Sequence, residues 1–267
     1  MTMKIMKPIV RIVLAEIFCF VALVSAPRES LAAEAVVLPD TVPDKTWPSP
    51  VEPQLSWSVL FDQLEHRWQD GKNLFRWDMQ GWIGGDYNRI WLRTEGEQRV
   101  RKGSGGEVEG QLLYSRLVAP FWDFQVGGRH QRLYGPGADR SRTFASLGFQ
   151  GLAPYWFEVE PFVFISDRGD VSARLAATYD VLFTQRLILQ PRFEINAAAQ
   201  DVKKFGIGAG INNVELGARL RYEIMPEVAP YLGVSWLGKV GETAGISRRE
   251  GEPVSNFSVV LGVRLWF

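Results

Sequence analysis

The sequence predicts an all-β fold: a transmembrane, up-and-down antiparallel β-barrel of about twelve strands, preceded by a signal peptide and a proline-rich linker. Three observations predict it. The final residues, Asn256–Phe267 (NFSVVLGVRLWF), alternate between apolar Phe257, Val259, Leu261, Val263, Leu265 and Phe267 and mostly small or polar Asn256, Ser258, Gly262 and Arg264. A period of two is a strand with unlike faces, and an apolar face running to a terminal aromatic suits a strand that meets lipid on one side and water on the other. Further segments of about ten to twelve residues repeat this pattern, the length a tilted membrane strand needs and about twice the usual soluble strand. The connections alternate between short turns and longer polar loops. A soluble sandwich or lipocalin-like barrel would explain the last strand alone, but not the strand lengths and the loop asymmetry together.

Composition narrows the alternatives. Formal net charge is zero, so no basic excess points to nucleic acid, while 10 Trp, 16 Phe and 26 Gly suit many strands, tight turns and an aromatic interface. No stretch after residue 35 approaches the roughly 20 apolar residues of a spanning helix. The single cysteine, Cys19, falls in the N-terminal apolar segment, so a chain without that segment has no thiol.

Taken in order, residues 1–32 read as a secretory signal. Lys4, Lys7 and Arg11 precede the apolar run Ile12–Ala26, and Ser30-Leu31-Ala32 is a small-x-small cleavage site. Cleavage there leaves a net charge of about −2. Residues 33–56, with Pro39, Pro43, Pro48, Pro50 and Pro53, read as an extended periplasmic linker. The barrel is expected over 57–267. Its strands are expected near 57–68, 74–84, 88–98, 107–117, 121–132, 141–151, 155–166, 170–180, 186–198, 210–223, 229–239 and 256–267. In the second, Phe75, Trp77, Met79 and Ile83 oppose Arg76, Asp78 and Gln80. The polar faces are rich in charge, as with Arg89, Arg93, Glu95 and Glu97, which predicts apolar residues outside and a charged, ion-paired lumen. The short connections, such as Val118–Pro120 and Leu152–Pro154, belong on the periplasmic side with both termini. Phe121-Trp122, Tyr155-Trp156 and Trp266-Phe267 fall on that edge as half of an aromatic girdle.

Chemistry is sparse. The histidines are His66 and His130, with no H-x-x-x-H, C-x-x-C or glycine-rich phosphate loop. After signal removal the methionines are Met79, on an apolar stripe, and Met225, in a turn. Carboxylates are numerous: Asp62, Glu65, Asp78, Asp86, Glu95, Glu97, Glu158, Glu160, Glu194 and Glu215. Those facing inward could form a cation path or a weak divalent site, or simply pair with lumen arginines. The candidate metal residues are His66, His130, Glu65 and Asp86. Ser115, Ser146 and Ser172 lie on strands without any nucleophile motif, so no enzyme activity is expected.

Several blocks resemble the copper resistance protein B family. They include Phe61-Asp62-Gln63-Leu64-Glu65, the run from Trp82 to Glu97 (WIGGDYNRIWLRTEGE), Gln150–Glu158 (QGLAPYWFE), Thr184–Arg192 (TQRLILQPR), Glu215–Glu223 (ELGARLRYE) and Ala229–Trp236 (APYLGVSW). The resemblance covers about Trp57 to Phe267. It implies an outer-membrane protein of Gram-negative bacteria, acting in copper resistance by binding copper ions or helping to export them. Implied partners are outer-membrane lipid, the barrel-assembly machinery, which reads a terminal aromatic such as Phe267, and a periplasmic multicopper oxidase. Deleting Phe267 is expected to lower membrane assembly. Many members carry a Met- and His-rich segment before the barrel; Ala33–Ser56 contains no Met, His or Cys, so copper capture by that segment is not expected here. The alternative is a general diffusion pore or structural barrel without copper specificity.

Overall fold

The computed structural model describes residues 55–69, 72–100, 105–135 and 139–267. The expected signal peptide and nearly all of the linker lie outside the described residues. The strands are β1 (Ser56–Gln69), β2 (Lys72–Gly84), β3 (Asn88–Arg99), β4 (Gly106–Ala119), β5 (Trp122–Tyr134), β6 (Arg140–Ala153) and β7 (Phe157–Ser166). They continue with β8 (Val171–Thr178), β9 (Val181–Leu182), β10 (Leu187–Ala198), β11 (Gly210–Tyr222), β12 (Val228–Lys239) and β13 (Ser255–Trp266). Each pairs antiparallel with its neighbours, and β13 pairs with β1, so the sheet closes without an edge. The short β9 and β8 both pair with β10, so they form one stave and the barrel has twelve. The break between them lies opposite Pro191, which has no N–H to give the ladder. Pro161 leaves a similar gap in the β6–β7 register.

Closure runs through the chain's last residue. Phe267 donates its N–H to the Val59 carbonyl and accepts from the Val59 N–H, both at 2.8 Å, while Trp266 Nε1 donates to Ser58 Oγ at 2.8 Å. The C-terminal stripe therefore closes the ring, with Phe257, Val259 and Leu261 exposed outward and Ser258 and Val260 buried inward.

The alternation read from sequence holds around most of the wall. Leu112, Leu147, Leu232 and Leu261 are exposed and form part of the lipid-facing belt. Trp68, Phe75, Trp236 and Phe257 mark the rim bearing the longer loops, and Phe121, Tyr155, Phe183, Trp266 and Phe267 mark the rim bearing the short turns. Phe121, Tyr155 and Trp156 take left-handed φ values of 66–67° in those short turns, a conformation that aromatic residues rarely adopt.

Two features depart from simple alternation. Asp62 is an extra residue on β1: Phe61 faces Met79 and Gln63 faces Asp78, so a β-bulge leaves Asp62 unpaired. The bulge turns Asp62 and Gln63 both toward the lumen. The loop expected over Val240–Ser255 contains a helix, α1 (Gly241–Arg249), which buries Thr243, Ala244, Ile246 and Ser247 against β11.

Candidate functional site

The site is the lumen, and strand alternation decides what enters it. On β1 the residues after the bulge, Gln63, Glu65 and Arg67, turn inward; on β3, Arg93, Glu95 and Glu97; on β7, Glu158, Glu160, Phe162 and Phe164. Inward carboxylates and arginines then meet across the barrel. Arg67 bonds Glu65 at 2.7 Å and Glu215 at 2.9 Å, and Arg76 bonds Glu97 at 2.9 Å and Glu215 at 3.3 Å. Arg219 donates to Glu65 at 2.9 Å, and the Tyr231 hydroxyl donates to the same carboxylate at 3.0 Å. Arg192 of β10 reaches Asp78 of β2 at 3.5 Å, five staves away around the wall, and Asp62 of β1 at 3.7 Å, four staves away. Arg264 also reaches Asp62, at 3.2 Å.

Arg174 of β8 is the crossbar of this lattice. Its Nη1 donates to Glu95 of β3, its Nη2 lies 3.4 Å from Glu109, and its Nε lies 3.7 Å from Glu194 and 3.2 Å from Asn196 Oδ1. Beside it stands an inward apolar cluster of the aromatics Trp91, Phe144, Phe162 and Phe164 with Leu113. Arginines lie over these rings: Arg129 at 4.3 Å from the Phe164 centroid and Arg93 at 5.3 Å from that of Trp91. Such stacking lets aromatic rings stand in a charged lumen.

Two cavities flank the crossbar, and Arg174 and Phe164 line both. The inner one, at the end bearing the start of β1, the end of β13 and the short turns, has a volume of about 430 Å³. Its wall holds seven carboxylates (Asp62, Asp78, Glu95, Glu109, Glu158, Glu160 and Asp180) against four arginines. Six of the seven are paired: Glu160 with Arg93 at 2.7 Å and Asp180 with Arg221 at 2.6 Å, Asp62 and Asp78 with Arg192, and Glu95 and Glu109 with Arg174. Glu158 has no cationic partner among the described residues; its carboxylate accepts from Gln150 Nε2 at 3.2 Å. Gln150 also donates to Glu160 at 3.1 Å and holds the two carboxylates side by side. Trp156, in its left-handed turn, lines the mouth above them instead of joining the girdle.

The sequence-named metal candidates are dispersed. Glu65 is inward, 1% exposed and saturated by Arg67, Arg219 and Tyr231. His66 follows it on β1 and so faces outward, its ring 4.7 Å from that of Trp68. His130 is exposed on the outer face of β5, with Nδ1 3.0 Å from Thr143 Oγ1. Asp86 is exposed in the β2–β3 turn. Neighbouring Glu65 and His66 point to opposite faces of the wall, no hydrogen bond or ion pair joins any two of these four side chains among the described residues, and no group of three or more His, Cys, Asp or Glu there could hold a metal ion. Ser115 and Ser146 are buried on the inner face while His130 is on the outer, so the strand wall separates them. Met79 lies on the outward face of β2, as its stripe predicts, but is covered by its neighbours. The inner-cavity pair Glu158–Glu160 was among the carboxylates expected to form a cation path or weak divalent site, though not among the four metal candidates.

Comparison with known proteins then decides the family. The family described as "Copper resistance protein B precursor (CopB)" matches residues 55–267. The chain belongs to the copper resistance protein B family. It is 46% identical over 213 residues to "Copper resistance protein B" of Escherichia coli, covering 80% of this chain and 70% of that one. It is 43% identical over 208 residues to "Copper resistance protein B homolog" of Pseudomonas syringae pv. tomato (strain ATCC BAA-871 / DC3000), covering 77% of this chain and 68% of that one. Among solved structures the NanC porin shares the fold, with a TM-score of 0.52 and 12% identity, over 79% of this chain and 99% of that one. The family membership and the closed porin-like barrel place the chain in the outer membrane, with a role in copper resistance. The rim with the start of β1, the end of β13 and the short turns is then the periplasmic one.

Proposed function

We propose that the barrel contributes to copper resistance without catalysis, by drawing copper ions from the periplasm into the inner cavity and holding them weakly on their way out. The observation that carries this is the excess of carboxylates over arginines at the periplasmic end, with Glu158 free of any cationic partner among the described residues. A low-dielectric wall of one charge sign concentrates counter-ions at its mouth. Oxygen donors suit Cu(II), since Cu(I) favours thiolate and thioether sulfur. Copper is here a cargo ion, in keeping with the dispersed donors. A periplasmic copper-handling partner, a multicopper oxidase as the family resemblance implies, meets the chain at this same rim. The competing reading, a general diffusion pore, is disfavoured by the arginine–carboxylate lattice across mid-lumen.

Copper tolerance tests the proposal. In a strain lacking the gene, the wild-type chain restores growth at inhibitory copper. Glu158→Gln, which keeps the Gln150 hydrogen bond and breaks no ion pair, assembles normally and restores tolerance only in part. Full restoration by Glu158→Gln together with Glu160→Gln overturns the assignment to the inner cavity.

A further inference from the structure

The outer cavity, about 960 Å³, has the opposite charge balance, with eight Lys and Arg side chains against five carboxylates. Two of the carboxylates are ion-paired, Glu97 with Arg67 and Arg76 and Glu252 with Lys239, while Glu107 accepts from the neutral amide of Gln131 and keeps its charge. On the facing wall, β6 presents Arg142, which lines the cavity, is 6% exposed and has no ion pair among the described residues. Its Nη2 donates to Gln131 at 2.7 Å, and its Nε is buried without a partner. The guanidinium lies 3.8 Å from the Phe205 ring centroid and 5.0 Å from that of Phe144. The short turn Lys203–Phe205 that carries Phe205 also brings Lys203 to the cavity wall, and Arg140 donates to the Lys204 carbonyl from the same side. The loop bearing this turn is braced from below. Ala209 N–H donates to Asp201 at 2.7 Å and holds that carboxyl below its usual range, and Gly208 N–H donates to Thr243 of α1 at 3.0 Å.

A buried arginine is costly unless an anion or a set of acceptors meets it. Arg142 has one acceptor and two rings that fix its plane; Arg140, two residues back on the same strand, and Lys203, in the turn that carries Phe205, line the same cavity. We propose that this corner of the outer cavity is a binding site for a phosphate-class oxyanion, with Arg142 as its central donor and Arg140 and Lys203 as flanking charges. A planar guanidinium fork matches such an oxyanion in two-point contact, and ring stacking spares the ordering cost of the fork. Asp170 and Glu107 line the same cavity and oppose the anion, so the affinity is modest. Two sources supply this chemistry, free inorganic phosphate and the phosphate groups of lipopolysaccharide in the outer leaflet. The inference is independent of the copper reading.

The test uses the full chain folded in nanodiscs and titrated calorimetrically with inorganic phosphate. Saturable binding is expected, weakening as salt rises. Arg142→Gln lowers the affinity about tenfold or more, as loss of a charged donor does. Lys203→Gln, at an exposed loop position, lowers it by about twofold to fivefold and leaves the barrel wall untouched. Lipopolysaccharide in the nanodisc that weakens apparent phosphate affinity assigns the site to lipid phosphate; unchanged affinity assigns it to the free anion. Absence of saturable binding by the wild type, or wild-type affinity in both variants, overturns the proposal. Copper tolerance plays no part in this readout, so its failure leaves the copper reading standing.

Discussion

Glu65→Ala is expected to cost the folded barrel about 3–5 kcal/mol, the range for breaking a buried ion pair by removing one partner. Glu65 is 1% exposed and accepts from Arg67, Arg219 and Tyr231, and both arginines are 3% exposed. Removing the carboxylate leaves Arg219 with Gln63 as its remaining partner and transfers Arg67 wholly to the Glu97–Glu215 side. Urea-dependent folding into detergent micelles, followed by heat-modifiable mobility, reads the loss directly. Glu65→Gln keeps acceptor geometry at one oxygen and is expected to cost less. Asp86→Ala, at an exposed turn, is the control and is expected to stay within about 0.5 kcal/mol of wild type. Equal midpoints for Glu65→Ala and Asp86→Ala contradict the view that this lattice holds the wall together.

Arg174→Ala is expected to open the lumen. Arg174 and Phe164 line both cavities, and the guanidinium spans from β8 to Glu95 of β3, Glu109 of β4 and Glu194 of β10. Truncation removes the crossbar and leaves three carboxylates facing a wider passage. Single-channel conductance in planar bilayers should rise severalfold and become more cation-selective, since an acidic constriction favours cations. Arg174→Lys keeps one charge, and so an intermediate conductance is expected. Unchanged conductance and selectivity in Arg174→Ala place the barrier elsewhere.

Much of this wall was legible in the sequence. Strand positions, the alternation of short turns and long loops, and the pairing of the C-terminal stripe with β1 all follow from periodicity and strand length. The β1 bulge was half visible: in Trp57–Trp68 the outward apolar positions are Trp57, Val59 and Phe61, then Leu64 and Trp68, a slip of one residue at Asp62-Gln63 that inward Leu60 blurs. The outward aim of the histidines was also available, because His66 sits between inward Glu65 and Arg67, and His130 between inward Arg129 and Gln131. Other features were not legible. In β7 both faces are apolar, Phe162 and Phe164 against Val163 and Ile165, so periodicity cannot say which aromatics enter the lumen. Arg174 finds Glu95 five staves away, a pairing that depends on barrel closure and leaves no trace in local spacing. The helix α1 is nine residues long, and tertiary burial against β11 decides it more than propensity does. The acidic inner cavity likewise emerges only once residues from β1, β2, β3, β4 and β7 share one wall.

The central claim is that the periplasmic end of the lumen attracts copper ions through its carboxylates. Equilibrium dialysis of the purified, folded barrel against Cu(II) at fixed ionic strength tests it most directly, with Glu158→Gln beside wild type. The account predicts saturable uptake by the wild type and an affinity about threefold to tenfold lower in Glu158→Gln, the loss expected for one carboxylate acting on a divalent ion at partly screened distance. No saturable uptake by the wild type, or identical uptake by both chains, contradicts it.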